Sequence, residues 1–161
     1  MADHGITLLR ISIGIIFFWF GLIKYFPGLS PIEDLALRTV RVLTFNLFSD
    51  KAMGIGLATL ESLIGIGLIT GKFLRATLPL LLLQLIGAIS PVFLFPSEVF
   101  KIIPIVLTLP GQYIVKDIVL ITAGILIGGT VRGGKVIADP VIAEKAKKIE
   151  EQKLAAETVH N

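Results

Sequence analysis

One carboxylate, Glu61, lies near the middle of a long apolar segment of the sequence. It follows Met53 by eight residues and precedes Thr70 by nine. Placing an ionised carboxylate at the centre of a bilayer costs about 3 kcal/mol, so the group must face protein, take up a proton or pair with a cation. The chemistry that fits is proton exchange, or a hydrogen bond to a bound ligand. Glu61 is therefore our candidate catalytic residue.

Gln84 is predicted to lie at the same depth as Glu61. Glu61 lies ten residues before Gly71 and Gln84 lies nine residues after Arg75, on opposite sides of a short basic turn. At the rise of an α-helix, both are roughly 13–15 Å from that turn. A hydrogen bond between them would satisfy both side chains. Two interpretations stay open, a structural contact between helices and a functional site centred on Glu61.

The remaining candidate ligand-binding residues lie near the ends of apolar segments. Arg10 and Lys24 lie at the two ends of the first segment, where each is equally well explained as an anchor at the lipid headgroups. Tyr113, Lys116 and Asp117 lie at the start of the last segment, and Lys24 is predicted to lie near them. Adjacent residues point about 100° apart on a helix, so we expect Asp117 to pair with Lys24 or with an arginine after the first segment. Such a pair is structural as readily as functional.

Metal ligands and catalytic motifs are not apparent in the sequence. The chain has no cysteine, which excludes thiolate and iron–sulfur ligation by its own residues, and His4 and His160 lie at opposite ends. Gly124 and Gly128 are spaced for helix packing rather than for a phosphate-binding loop. Whether the chain is an enzyme stays open at this point.

Four apolar segments position these residues. Hydrophobic residues make up 54% of the chain, charged residues only 17%, and the mean hydropathy is +0.87. A helix of about 20 residues crosses the hydrocarbon core of a bilayer. The predicted spans are residues 6–26, 53–70, 76–95 and 112–131. We predict an all-α fold, an integral membrane four-helix bundle within residues 1–134.

Small residues accompany the polar ones on the first two spans. Each span has a stripe of residues at alternating steps of four and three, which lie on one helix face. Because glycines let two backbones approach closely, we expect both faces to pack against protein. The stripes are Arg10, Gly14, Phe17, Gly21 and Lys24 in the first span, and Gly54, Ala58, Glu61, Gly65 and Leu68 in the second.

Two connecting segments are predicted to lie at the membrane surface. Ser30, Pro31 and Glu33 resemble a helix start with a serine cap, and the helix that follows to about Phe48 is amphipathic and too polar to span. Residues 96–111 are apolar but interrupted by three prolines, which excludes a regular span. We interpret 96–111 as an interfacial or shallow re-entrant loop.

The charged tail and the basic residues set the predicted orientation. Residues 135–161 form a polar tail, predicted to be a solvated cytoplasmic helix with a Glu144–Lys148 pair, and docking of its lysines on anionic lipid is the alternative. Basic residues favour both termini in the cytoplasm. The first span is longer than the apolar core of a signal peptide, so we expect it to remain in the mature protein.

The net charge of the chain and its distribution indicate which kinds of partner to expect. The net charge is +3 and the pI about 9.3, but much of the basic excess lies beside the apolar segments and in the tail. This arrangement is typical of membrane proteins and does not indicate nucleic-acid binding. The lipid bilayer is the expected environment, and a homo-oligomer is compatible with it.

Three motifs together resemble the DoxX-like family of small four-helix membrane proteins, and more narrowly its YkgB-related branch. They are RISIGIIFFWFGLIKY, LESLIGIGLITG and LPGQYIVKDIVLITAG, within about residues 8–129. Some members of that family are subunits of membrane oxidoreductases, including an archaeal thiosulfate:quinone oxidoreductase, and others are tied to oxidative-stress defence. The resemblance implies an inner-membrane protein that belongs to a quinone-linked redox system with an oxidoreductase partner. The alternative is a non-enzymatic scaffold or a small-solute carrier.

Overall fold

The computed structural model of the protein describes residues 2–131, 141, 144–149 and 151–152. Four helices are long and apolar enough to cross a membrane, at His4–Ile23, Asp50–Thr70, Leu74–Leu94 and Leu109–Val131. This confirms the four predicted candidate spans, with boundaries shifted by a few residues. In chain order the elements are α1 Ala2–Ile23, α2 Glu33–Leu43, α3 Asp50–Thr70, α4 Leu74–Ile89, α5 Pro91–Leu94, α6 Pro96–Val99, β1 Phe100–Ile102, β2 Val106–Leu107 and α7 Leu109–Val131.

Helices α1 and α3 form the tightest pair in the bundle. A Cβ built on Gly65 would lie 2.5 Å from the backbone nitrogen of Phe18, and one built on Gly21 would lie 2.7 Å from the backbone nitrogen of Ser62. Gly14 is equally close to Ile69. The two backbones therefore touch where side chains would otherwise separate them, as the stripes of small residues predicted.

The other spans complete the bundle around an apolar core. Helix α4 packs between α3 and α7, and α7 also contacts α1. The core contains Ile13 of α1, Ile64 of α3, Leu81 of α4 and Ile127 of α7, all nearly inaccessible. Thus every span contributes to one interior, and the short connection between α3 and α4 makes those two helices antiparallel.

Helix α2 starts later than the serine-cap pattern predicts. Its N-cap is Ile32, without a side-chain hydrogen bond, so the predicted cap at Ser30 is wrong. The Glu33 carboxylate instead accepts a hydrogen bond of 2.6 Å from the N–H of Gly28, in the turn before the helix. The helix ends at Leu43 rather than near Phe48, because Phe45 and the residue after it have positive φ angles that interrupt it.

Two arginines of α2 hold it to neighbouring segments. The Arg38 guanidinium forms a two-pronged ion pair with Glu98 of α6, with Nη1 2.6 Å from Oε1, and lies 5.4 Å from the centre of the Phe95 ring. The Glu98 carboxylate raises the pKa of Arg38 above its usual value. Arg41 pairs with Asp50 at the start of α3. We call the end of the bundle that carries α2 and residues 90–108 the α2 end.

Residues 96–111 contain regular structure that the sequence did not predict. After the four-residue α6, strands β1 and β2 form an antiparallel hairpin around a cis Ile103–Pro104 peptide. The Thr108 hydroxyl donates to the carbonyl of Val99, 3.1 Å away, and thereby closes the base of the hairpin. The all-α prediction thus omitted one short hairpin; insertion of this segment into the bilayer stays a prediction.

The charged tail is described only in part. The described positions at 144–149 are helical, and the Lys148 ammonium lies 2.8 Å from a Glu144 carboxylate oxygen, as predicted. Most of the predicted 135–161 tail, including the domain boundary near residue 134, lies outside the described residues.

Candidate functional site

Glu61 and Lys24 form an ion pair inside the bundle. The Lys24 ammonium lies 2.5 Å from Oε1 of Glu61 and also contacts Oε2. The side chains are only 12% and 8% exposed, respectively. Glu61 is near the middle of α3, while Lys24 directly follows the last residue of α1. The pair therefore joins the end of one span to the centre of another.

The position of α1 along α3 explains this pairing. Arg10, in the first half of α1, reaches the carbonyls of the last turn of α3, whereas Lys24 reaches only the middle of α3. Helix α1 is thus displaced along α3 away from the α2 end. Because of this displacement, a residue predicted at a headgroup position becomes the partner of the central carboxylate.

Gln84 completes the cluster as predicted. Its Nε2 donates a hydrogen bond of 2.9 Å to Oε1 of Glu61. The equal distances of both residues from the α3–α4 turn account for the contact. Glu61 thus has a cation and an amide donor from two different elements, and we call Lys24, Glu61 and Gln84 the central cluster.

The expected ion pair of Asp117 is not formed within the described residues. Lys24 pairs with Glu61 instead, and Arg38 and Arg41 of α2 pair with other carboxylates. Asp117 is half-buried on α7, close enough to interact electrostatically with both Glu61 and Lys24. It therefore belongs to the electrostatic surroundings of the central cluster without a direct contact to it.

The other two candidates on α7 lie together. The Lys116 ammonium is 5.6 Å from the centre of the Tyr113 ring, a cation–π distance. Lys116 is exposed and Tyr113 half-buried. Of the residues grouped with Lys24, Asp117 interacts with it electrostatically, while the hydrogen bonds of the Lys24 ammonium go to Glu61 of α3.

Arg10 forms a separate contact at the far end of the bundle. Its Nη1 donates to the carbonyl of Leu68 and, at 3.4 Å, to that of Ile69. These carbonyls belong to the last turn of α3, whose partial negative charge favours a cation. Arg10 thus binds the C-terminal end of α3 in this structure and does not reach Glu61.

Replacing Arg10 with leucine is expected to destabilise the bundle. The substitution removes charged donors from two carbonyls of α3, which corresponds to about 1.5–3 kcal/mol. Unfolding of the purified protein in a denaturing-detergent titration measures the change. Arg75→Leu, at an exposed position in the same region, is the control and should change stability little. Equal stability of the two variants would contradict a stabilising contact between Arg10 and the end of α3.

Three polar side chains near the central cluster, those of Tyr25, Thr59 and Ser62, are not predicted from the sequence pattern. The Tyr25 and Thr59 hydroxyls are 2.9 Å apart, one residue beyond Lys24 and half a turn from Glu61. The Ser62 hydroxyl is buried against Gly21 and has no hydrogen-bond partner among the described residues. Consecutive spans run antiparallel, which places the end of α1 beside α3. The sequence could therefore have indicated that Tyr25 lies near Thr59, but only if the register between the two helices were known.

The chemistry open to the central cluster is proton exchange and hydrogen bonding. Lys24 has three N–H donors and Glu61 takes two, while the Gln84 amide has a second N–H beyond the one given to Glu61. The cluster therefore retains donors suited to a carbonyl oxygen. Among the described residues, no group of three or more His, Asp or Glu side chains is arranged to hold a metal ion.

No family model, curated protein or solved structure matches this chain.

Proposed function

We propose that this chain is a DoxX-like membrane subunit of a quinone-linked redox system, with Glu61 as its proton-exchanging residue. The observation that carries the proposal is the central cluster itself, a buried carboxylate held by Lys24 and Gln84 in the middle of a membrane-spanning helix. Ionisable groups at such positions are costly and typically serve function. The sequence motifs that resemble the DoxX-like family supply the redox context.

The residues of the cluster have the donors and acceptors that a quinone requires. A bound quinone would accept two electrons and two protons, the electrons coming from a partner oxidoreductase subunit. Spare N–H donors of Lys24 and Gln84 are suited to its carbonyl oxygens. Glu61 would give up a proton when protonated and recover one from water, while Lys24 holds the carboxylate in place. Arg10, Tyr113, Lys116 and Asp117 would not take part directly.

Space limits where such a ligand can lie. The space beside Lys24 that a water-sized molecule can occupy is about 20 Å³, far below the roughly 300–1,000 Å³ of typical ligand pockets. We therefore propose that a quinone ring approaches from the lipid side, with local movement of side chains. A second copy of the chain or a partner subunit would enclose it.

The proposed setting is the inner membrane with both termini in the cytoplasm. In this orientation α2 lies at the outer interface, and the charged C-terminal tail lies in the cytoplasm. The distribution of lysine and arginine among the connections supports this orientation. The buried and exposed sides of α2, with Leu35 inside and Arg38 outside, support its interfacial position.

A non-enzymatic scaffold is the second candidate, and one observation favours it. Glu61 is fully paired by Lys24 and Gln84, which is also what a purely structural link between helices needs. A small-solute carrier would further need a polar path from one membrane face to the other. The apolar core between Ile64, Leu81 and Ile127 makes a path through one copy difficult and would require an oligomer.

Bound quinone measured after mild purification tests the proposal. Solvent extraction should recover about one quinone per wild-type chain, and Glu61→Gln should lower this at least about tenfold, since it removes a charged hydrogen-bonding group. Glu98→Gln, which alters a carboxylate at the α2 end, is the matched control and should retain quinone.

Two outcomes separate the candidates. Loss of quinone in Glu61→Gln with an unchanged elution profile and stability supports the redox proposal. Absence of quinone from the wild type, or equal quinone in Glu61→Gln and Glu98→Gln, contradicts a quinone site at Glu61. The scaffold then becomes the better explanation.

A further inference from the structure

A narrow cleft opens beside the central cluster, between α2 and α3. Two of its lining side chains are ionisable, Lys24 and Glu33, in an otherwise apolar wall. The space inside it that a water-sized molecule can occupy is about 20 Å³, which is enough for about one water molecule and too small for a ring-shaped ligand. The residues that line it are Lys24, Glu33, Ala36, Leu37, Gly54 and Leu57.

The Lys24 ammonium can donate one further hydrogen bond to a molecule in this cleft. Its hydrogen-bond acceptors among the described residues are the two carboxylate oxygens of Glu61. An ammonium carries three N–H donors, so one has no protein acceptor there. A largely buried donor without an acceptor is unfavourable by about 1–3 kcal/mol, and a water molecule supplies the missing acceptor.

Gly54 leaves the space open. A Cβ built at this position would have one atom within 4 Å, Cδ2 of Leu37 at 3.7 Å. There is therefore room for a larger side chain where the natural residue has none. Gly54 lies two turns before Glu61 on α3, on the same helix face, so this space lies toward the α2 end from the central cluster.

We propose that the cleft is a hydrated entrance through which water and the protons it carries reach Lys24 and Glu61 from the α2 end. A hydronium ion that reaches the cleft would give its excess proton to a Glu61 oxygen and remain as water, while Lys24 stays an ammonium. The charged groups around this route are Glu33 on α2 and Asp117 on α7, and Gln84 on α4 is neutral. This inference rests on the proposed proton-exchanging role of Glu61 and specifies its access route.

Single cysteines in this naturally cysteine-free chain test the entrance. Leu57→Cys places a thiol in the cleft, and Leu63→Cys places one on the exposed side of α3, where lipid is expected. A charged, membrane-impermeant thiol reagent is added to both sides of opened membranes. Labelling in denaturing detergent confirms that each thiol is present and intact.

The cleft thiol is expected to react faster. Labelling requires the thiolate, and one unit of thiol pKa corresponds to about tenfold in thiolate, so Leu57→Cys should react at least about tenfold faster than Leu63→Cys. Adding Gly54→Leu should slow Leu57→Cys to the rate of the lipid-facing site. Gly56→Leu is the matched control, because no atom lies within 4 Å of a Cβ there, and it should leave the rate unchanged.

Two results would overturn the entrance. One is a Leu57→Cys rate equal to that of Leu63→Cys in protein with a normal elution profile. The other is equal rates with Gly54→Leu and Gly56→Leu. The labelling does not depend on quinone. An unreactive Leu57→Cys in a protein that still contains quinone therefore contradicts the proposed entrance and leaves the proposed quinone site intact. A reactive Leu57→Cys in a quinone-free protein refutes only the quinone site.

Discussion

Removing either charge of the Lys24–Glu61 pair is expected to destabilise the protein more than removing both. Glu61→Leu leaves the Lys24 ammonium buried without its counter-charge, and Lys24→Met leaves the carboxylate in the same situation. Loss of one member of a buried pair costs about 3–5 kcal/mol in proteins. The double variant replaces both charges with apolar groups and should be more stable than either single variant.

A double-mutant cycle measures this coupling. The four proteins are unfolded in the same denaturing-detergent titration, and the free energies of unfolding are compared. Independent sites add to within about 0.5 kcal/mol, so an additive result would contradict a direct, buried pair. The double variant also serves the quinone experiment, since it is expected to fold while lacking the charges of the central cluster.

Gly65→Ala is expected to separate α1 from α3. The added Cβ would lie 2.5 Å from the backbone nitrogen of Phe18, and backbone atoms cannot rotate away as a side chain can. Overpacking of this kind costs about 1–3 kcal/mol, and we expect a loss of about 3 kcal/mol because the whole helix must shift. The unfolding titration that measures the ion pair also measures this variant.

Gly56→Ala is the control for Gly65→Ala on the same helix. No atom lies within 4 Å of a Cβ at Gly56. Alanine favours a helix over glycine by up to about 1 kcal/mol, so this variant should be unchanged or slightly more stable. Equal effects of the two substitutions would show that helix propensity, and not the contact with Phe18, determines the result.

Local sequence patterns were sufficient for the membrane-spanning elements and for one contact of the site. Span lengths follow from runs of apolar residues that only a helix can place across a bilayer. The Glu61–Gln84 hydrogen bond follows from counting along two helices joined by a short turn, since the turn fixes their relative depth. The glycine stripe indicated which face of α1 packs closely.

Contacts between segments that are far apart in the sequence could not be predicted from local patterns. The pattern at Ser30 matches a cap, yet the N-cap is Ile32 and the helix starts at Glu33, whose carboxylate accepts a hydrogen bond from the Gly28 N–H. The hairpin after α6 depends on pairing across a proline-containing turn, for which alternating polarity gave no signal. The Arg38–Glu98 pair joins residues sixty positions apart.

Runs of apolar residues in the sequence already predict four helices long and apolar enough to span a membrane, and a carboxylate in the middle of such a helix, Glu61, needs a partner. That Lys24 is this partner follows from the packing of α1 against α3. The physical reason is the displacement of α1 along α3, which the contacts of Gly14, Gly21 and Gly65 allow. The displacement depends on how the surfaces of α1 and α3 fit together, which neither helix determines separately. It brings the end of α1 to the centre of α3.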